Sequence, residues 1–458
     1  MKRVTVIFVS PLLLLGLLLG WICNPLTERR TLRNAWFQKA PAADAAGKAA
    51  MLPTPRQIAH AETEFYAFFH FGMNTYTDAE LGTGREDPRL FGPTDLDTDQ
   101  WVESIAAAGM KGAIITAKHH DGFCLWPSAY TEHSVKNSPY PGDVVGELAA
   151  SCRKYGIKFG VYLSPFDENA PSFGQGEAYN DYFAAQLTEL LTNYGEVFEV
   201  WFDGYISEEY RGRQVYDWDR WVSIVRELQP GAVTVIAPPT PDVAWVGNET
   251  GLAGDNVSSV RRGFWAKNEC DVSIRNGWFY HDREAPKSLA ALMYIYENSV
   301  GKNCALLLNI PPDRSGQLDG RDVRRLKEFG QAIRALTARP LAADYTVHGV
   351  PAAELAADDE TSYSFAADEY ALELTFDTPQ KVRALLLSED VVRYGERIER
   401  WSVYARIWGI DVRIATSASA GGKTLLRFSA LLPKVSALRI VAEQARAAPV
   451  LRTVQAFG

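Results

Sequence analysis

From Glu64 to about Ala338 short apolar runs alternate with longer amphipathic stretches, a pattern that predicts βα units closing on a parallel sheet or barrel. The apolar runs at 65–71, 112–117, 158–163, 197–202, 233–237, 243–246, 272–274 and 305–310 predict strands. Eight of them suit a (β/α)8 barrel. The stretches at 99–108, 143–155, 179–194, 218–228, 288–300 and 320–336 carry the helical period. Residues 238–271 are rich in Gly and Asn and less regular, so long loops over the top of the barrel are expected there. After Arg339-Pro340 the period changes to short β-rich runs at 370–376, 382–387, 399–405, 411–415 and 437–442, which predict a β-sandwich. The chain therefore divides into a leader and spacer at 1–50, a barrel at 51–338 and an accessory sandwich at 339–458. A length of 458 residues fits two folded units.

Charge and the leader narrow the function classes. The net charge is -9 and no run of Lys and Arg forms the basic stripe that nucleic-acid binding requires, so nucleic acid is excluded as a partner. Lys2-Arg3 ahead of the apolar run from Val4 to Ile22 has the order of an export signal. Arg29, Arg30 and Arg33 follow closely, and the run is nearly long enough to span a bilayer, so a cleaved signal and an uncleaved membrane tether both fit. Either sends the chain out of the cytoplasm. Cys124, Cys152, Cys270 and Cys304 lack C-x-x-C spacing, which argues against a zinc site and a dense disulfide framework and leaves one disulfide open.

Chemistry-bearing residues gather at the carboxyl ends of the predicted strands, the face on which a barrel enzyme builds its site. Asp203 lies where the run ending Val200-Trp201-Phe202 gives way to Gly204, and Glu249 follows in Trp245-Val246-Gly247-Asn248-Glu249. Two carboxylates of this kind suggest glycoside cleavage. His70, His119 and His120 end the first and second strands, and Tyr162 the third, so three of the seven histidines converge. A metal held by His119 and His120 is one reading. Adjacent residues on an extended strand point to opposite sides, however, so they chelate poorly. Hydroxyl recognition by imidazole, which donates at one nitrogen and accepts at the other, is the better account, and no cofactor is implied. Trp201 precedes Asp203 by two and shares its strand face, where it can serve as a stacking wall. The twelve Trp and twenty Tyr point the same way, since aromatic faces stack on the C–H faces of sugars.

The strings from Phe69 to Asp78, Ala117 to Ser128, Val161 to Pro165 and Glu199 to Gly204 together resemble the glycoside hydrolase family 29 α-L-fucosidases. Trp245 to Glu249 and Asp271 to His281 resemble the subgroup that prefers α-1,3- and α-1,4-linked branches, and the tail resembles the galactose-binding-like sandwich common in that family. The resemblance implies Asp203 as nucleophile and Glu249 as acid/base in a retaining mechanism, with the two carboxyls ~5 Å apart. It implies fucose contacts from His70, His119 and His120, a hydroxyl acceptor in Glu80, pocket walls in Tyr162 and Trp201, and substrate contacts from Arg275 and Trp278. The implied substrate is a fucosylated oligosaccharide or glycoconjugate. Glu269 is the reserve candidate for the acid.

The chain departs from the family pattern at four positions. Leu81 and Phe166 stand where Trp is usual, Glu168 where Arg is usual, and Asn276 where Pro is usual. Loss of indole and guanidinium groups removes stacking area and charge-assisted donors, which shifts substrate preference rather than chemistry. The alternatives are a catalytically silent fucose-binding lectin, or a glycosidase for a related sugar such as an α-L-galactoside.

Overall fold

The computed structural model describes residues 51–254, 257–261, 263–357, 359, 361–366 and 370–458. The leader expected at 1–50 lies outside the described residues. Eight parallel strands close into a barrel in sequence order: β1 (Phe65–Phe69), β2 (Gly112–Lys118), β3 (Lys158–Leu163), β4 (Glu199–Trp201), β5 (Val233–Val235), β6 (Val243–Trp245), β7 (Lys267–Ser273) and β8 (Cys304–Asn309). Closure is direct, with Ala67 of β1 paired to Ala113 of β2 on one side and to Leu308 of β8 on the other.

Helix α1 (Pro55–Ala61) precedes β1, and the short α2 (Met73–Thr77) follows it. The outer ring comprises α3 (Thr98–Ala108), α4 (Val144–Tyr155), α5 (Glu177–Asn193), α6 (Trp218–Leu228), α7 (Leu289–Glu297) and α8 (Gly320–Leu336). Their starts are written in the sequence. Asp97, Asp143, Asp217, Ser288 and Asp319 each accept a backbone N–H of the following turn, at the donors a helix otherwise leaves orphaned. Among the described residues no helix connects β5 to β6 or β6 to β7, so the regular (β/α)8 alternation lapses there.

The strands alternate inside and out. Tyr66, Phe68, Ile114, Tyr162, Trp201, Val233, Val235 and Leu307 fill the barrel interior, while Phe65, Ala67, Phe69, Ile115, Val161 and Val200 pack outward on the helices. β7 corrects the sequence reading, which starts a strand only at 272. It begins five residues earlier, with Cys270 and Val272 packed outward, so that period two turns Lys267, Glu269, Asp271 and Ser273 inward. All four are buried. A strand whose inward face is polar reads as a loop when only apolar runs are counted.

The C-terminal unit is all antiparallel. A six-stranded sheet orders as β10-β9-β12-β17-β14-β15, from β9 (Asp344–Val347), β10 (Val350–Pro351), β12 (Ala371–Gln380), β14 (Ile398–Ile407), β15 (Ile410–Ala418) and β17 (Val435–Ala445). Facing it is a four-stranded sheet, β11-β18-β13-β16, from β11 (Tyr363–Ser364), β13 (Ala384–Glu389), β16 (Thr424–Arg427) and β18 (Val450–Phe457). Leu372, Leu374, Trp401, Val403 and Ile440 pack against Leu385, Leu387, Leu451 and Val454 between them. Lys423 reaches Glu64, beside the N-terminal end of β1, at 2.7 Å, so the sandwich contacts the end of the barrel opposite the predicted site. Cys124, Cys152, Cys270 and Cys304 are free and buried.

Candidate active site

A cavity of about 470 Å³ opens at the carboxyl ends of the barrel strands, within the usual range of small-ligand sites. Asp203, Glu249, His70, His119, His120, Glu80, Tyr162, Trp201 and Trp278 all line it. Among the described residues none that lines it comes from the sandwich.

Asp203 sits just past β4, in the first irregular turn. Tyr162 Oη donates to its Oδ2 at 2.7 Å and the Tyr205 backbone N–H donates to Oδ1 at 2.8 Å. Burial raises the carboxyl above its ordinary range, and the backbone N–H of Tyr205, the Tyr162 hydroxyl and the backbone N–H of Gly204 pull against that. These donors are what keep the group ionisable in a site that disfavours charge. Tyr162→Phe removes one of them and is expected to move the acid limb of kcat/KM to higher pH by about one unit. A pH–rate profile reads this directly, and an unmoved limb contradicts the role.

The three histidines are neutral, because burial pushes each imidazole down: His120 to about 3, His70 and His119 well below their ordinary value. Their partners fix the tautomers of two. His70 Nδ1–H donates to Asn309 Oδ1 at 2.9 Å, and Asn309 is itself oriented by donating to Ser273 Oγ and the Trp278 carbonyl. His120 Nδ1–H donates to Ser164 Oγ at 2.7 Å, whose own hydroxyl goes to the Phe166 carbonyl. Both rings therefore keep an Nε2 lone pair free to accept. His120 Nε2 stands 3.7 Å from Asp203 Oδ2. His119 and His120 reach one cavity because β2 ends at Lys118 and both lie in the turn beyond it, which removes the opposite-sides geometry expected of a strand.

The aromatic wall is continuous. Tyr162 and Trp201 stack at 5.6 Å and 22°, Phe68 meets Trp201 at 5.7 Å, and Trp278 lies 4.9 Å from His70. Trp278 also ties in the second carboxylate: its Nε1 donates to Glu249 Oε2 at 3.2 Å, holding an otherwise exposed side chain of the loop after β6 against the cavity. Glu80 clamps two loops, accepting the Trp278 backbone N–H at 2.8 Å and pairing with His281 Nε2 at 2.7 Å. Gly277 allows this close approach, since a Cβ there would sit 2.4 Å from Glu80 Oε1. Partial burial opposes a charge on His281, but its bonds to Asp78 and Glu80 outweigh that and raise its pKa.

Arg275 corrects the sequence reading. It is fully buried away from the cavity, with Nε on Asp322 at 2.7 Å, a second pairing to Asp319 at 3.1 Å and its guanidinium 4.6 Å over the Tyr280 ring. It pins the loop after β7 to the start of α8, and its guanidinium faces those carboxylates rather than the cavity. Glu269, the reserve acid, is buried beneath the cavity rather than on its wall. Of the four departures, only Leu81 lines the cavity, half exposed at its mouth. Phe166 packs behind His120 at 5.7 Å and Tyr205 at 6.0 Å. The Asn276 backbone N–H donates to Glu284 Oε2 at 3.2 Å, a bond a proline could not make.

Asp271 is the wall carboxylate that sequence reasoning missed. Trp245 Nε1 donates to its Oδ1 at 2.7 Å, and burial, with the nearby Glu269 and Glu249 charges adding to it, raises its carboxyl well above the ordinary range. Its signal was the polar alternation at 267, 269, 271 and 273. The three-residue set of described His, Cys, Asp and Glu atoms close enough to hold a cation is His60, Glu199 and Glu269, below the cavity and apart from the histidines that line it.

Residues 46–336 match the model of the family described as Alpha-L-fucosidase. The chain is 36% identical to Alpha-L-fucosidase 1 of Arabidopsis thaliana over 442 residues, 87% of this chain and 86% of that one. The crystal structure of a putative alpha-L-fucosidase from Bacteroides ovatus superposes with a TM-score of 0.81 at 39% identity, covering 91% of this chain and 76% of the other. A Ruminococcus gnavus GH29 fucosidase crystallised in complex with fucose gives a TM-score of 0.81 at 28% identity, covering 92% and 96%.

Proposed function

The chain belongs to the alpha-L-fucosidase family and is a glycoside hydrolase of fucosylated glycans, and from that premise we propose a retaining exo-enzyme that releases terminal α-1,3- or α-1,4-linked L-fucose from branched glycans. The observation that carries the reading is the presence of Asp203 and Glu249 on the wall of one cavity that also holds three neutral histidines.

In this reading ionised Asp203 attacks the anomeric carbon while protonated Glu249 gives its proton to the leaving oxygen. The covalent fucosyl–Asp203 ester then yields to water, from which Glu249 takes a proton, and the configuration is retained. Neutral His70 and His120 accept from sugar hydroxyls through Nε2, and the faces of Trp201 and Trp278 cover the apolar side of the deoxy sugar. The exposed Leu81 at the mouth supports a weaker grip on the remainder of a branched glycan than an indole gives. Export is part of the proposal, supported by Lys2-Arg3 and the apolar run that follows.

Fucose release from a Lewis-type trisaccharide compared with an α-1,2-linked one tests the linkage assignment. A kcat/KM at least tenfold higher on the branched trisaccharide is expected; equal rates, or preference for the α-1,2 linkage, remove the subgroup assignment. Fucose binding without turnover of either would instead mark a lectin.

A further inference from the structure

Below the aromatic floor of the cavity, two carboxylates meet inside the barrel, and no Lys or Arg among the described residues pairs with either. Glu199 of β4 and Glu269 of β7 are both fully buried, with carboxylate oxygens within 4.8 Å of one another. His60 Nε2 lies 2.7 Å from Glu199 Oε2, and His60 Nδ1 has no partner, which fixes the tautomer as Nε2–H donating to the carboxylate. Tyr66 donates to Glu269 Oε2, and Trp201 Nε1 donates to Glu269 Oε1 at 2.8 Å. Three of the four oxygens thus have donors. The fourth, Glu199 Oε1, is buried and meets none.

We propose that Glu199 and Glu269 share one proton across the barrel interior and that Glu269, through its bond to the Trp201 indole, is a positioning residue for fucoside hydrolysis. One proton completes the set: placed between Glu199 Oε1 and Glu269, it gives every oxygen a partner and leaves one negative charge instead of two. A second proton would compete with donors already in place. A cation at this spot would have to displace Tyr66 and Trp201, whose N–H and O–H point at the same oxygens.

The surrounding charges leave the pair uncompensated. Lys267 Nζ is engaged with Asn303 Oδ1 at 2.8 Å, and Lys158 Nζ with the Ala59 carbonyl and Thr63. Asp242 adds negative potential, and burial holds His60 neutral, at about 4. Burial pushes both glutamates up to about 8, for Glu269 with the Glu199 charge adding to it. The consequence above the pair is orientation. The Trp201 ring stacks on Tyr162, which holds Asp203 through its hydroxyl, so the Glu269 carboxyl fixes a wall of the site without touching substrate.

The kinetic half of this inference rests on the proposed fucoside site, and the thermodynamic half does not, so failure of either is visible separately. In the folded wild type the pair binds a proton that unfolded glutamates release near their ordinary pKa. Folding stability therefore falls as pH rises from about 5 to 8 and levels off above that. Glu199→Gln supplies a permanent amide N–H, and is expected to flatten the decline in melting temperature over this window while leaving kcat and KM within twofold. Glu269→Gln keeps an acceptor for Trp201 and is expected to flatten the same decline. Glu269→Leu, which leaves the indole N–H unpaired, is expected to lower kcat/KM at least tenfold and to be rescued by the Gln variant. The inference is overturned if Glu199→Gln and Glu269→Gln keep the wild-type slope, if folded Glu269→Leu has wild-type kinetics, or if the purified wild type holds a stoichiometric metal whose removal lowers its melting temperature.

Discussion

Replacement of Asp203 by glycine is expected to lower kcat on an aryl α-L-fucoside by roughly four to six orders of magnitude, because the proposed covalent route loses its nucleophile. The fold should survive. Asp203 lies in an irregular turn at the cavity wall, and its removal frees the Tyr162 hydroxyl to meet water in the open site. The expected signature is therefore a folded protein that still binds fucose but scarcely turns over. The space left by the carboxylate admits a small anion, so azide should restore part of the rate and give a β-fucosyl azide, the inverted product of one displacement instead of two. A Gly variant retaining a tenth of the wild-type rate would remove Asp203 from the chemistry.

Replacement of Glu249 by alanine is expected to cost about 10²–10⁴ in kcat/KM on substrates whose leaving oxygen needs a proton, the range of a general acid. Fucosides of strongly acidic phenols should lose much less in the first step, because such a phenolate departs unassisted, and an intermediate should accumulate because the base for the second step is gone. This dependence on the leaving group separates a proton donor from a residue that merely shapes the loop. Asp271 is the control. It stands on the same wall with its carboxyl held neutral by burial, so Asp271→Asn should show no such dependence if Glu249 is the acid. Trp278→Phe, which deletes the indole donor to Glu249, should give a milder loss of the same kind.

The sequence was most legible where one side of a strand is apolar. β3 and the helices α6 and α8 fall at the residues their periodicity predicts, because Lys158–Leu163 is bounded by a Gly cap and a Pro, and an Asp opens each helix. The convergence of His70, His119 and His120 on one cavity also followed from strand order alone, since a parallel barrel brings all the strand ends to one face. What failed was β7. Its inward residues are Lys267, Glu269, Asp271 and Ser273, so a scan for apolar runs sees only Val272 to Ile274 and assigns the rest to a loop. Asp271 went unnoticed for that reason, and the buried partnership of Glu269 with Glu199 is a contact between strands that only the closed barrel reveals. Arg275 was misplaced for a different reason: its motif lies at a strand end, but pairing with Asp319 and Asp322 on the far side draws the side chain away from the cavity.

The proposed mechanism requires a covalent fucosyl ester on Asp203. Incubation with a 2-deoxy-2-fluoro-fucosyl fluoride, whose ester is hydrolysed slowly, followed by proteolysis and mass spectrometry of the labelled peptide, reads the attachment point. One fluorofucosyl group per chain is expected, on the peptide containing Asp203 and on its side chain. A label on Glu249 or Asp271, or steady turnover to the β-anomer with no adduct at all, would contradict it.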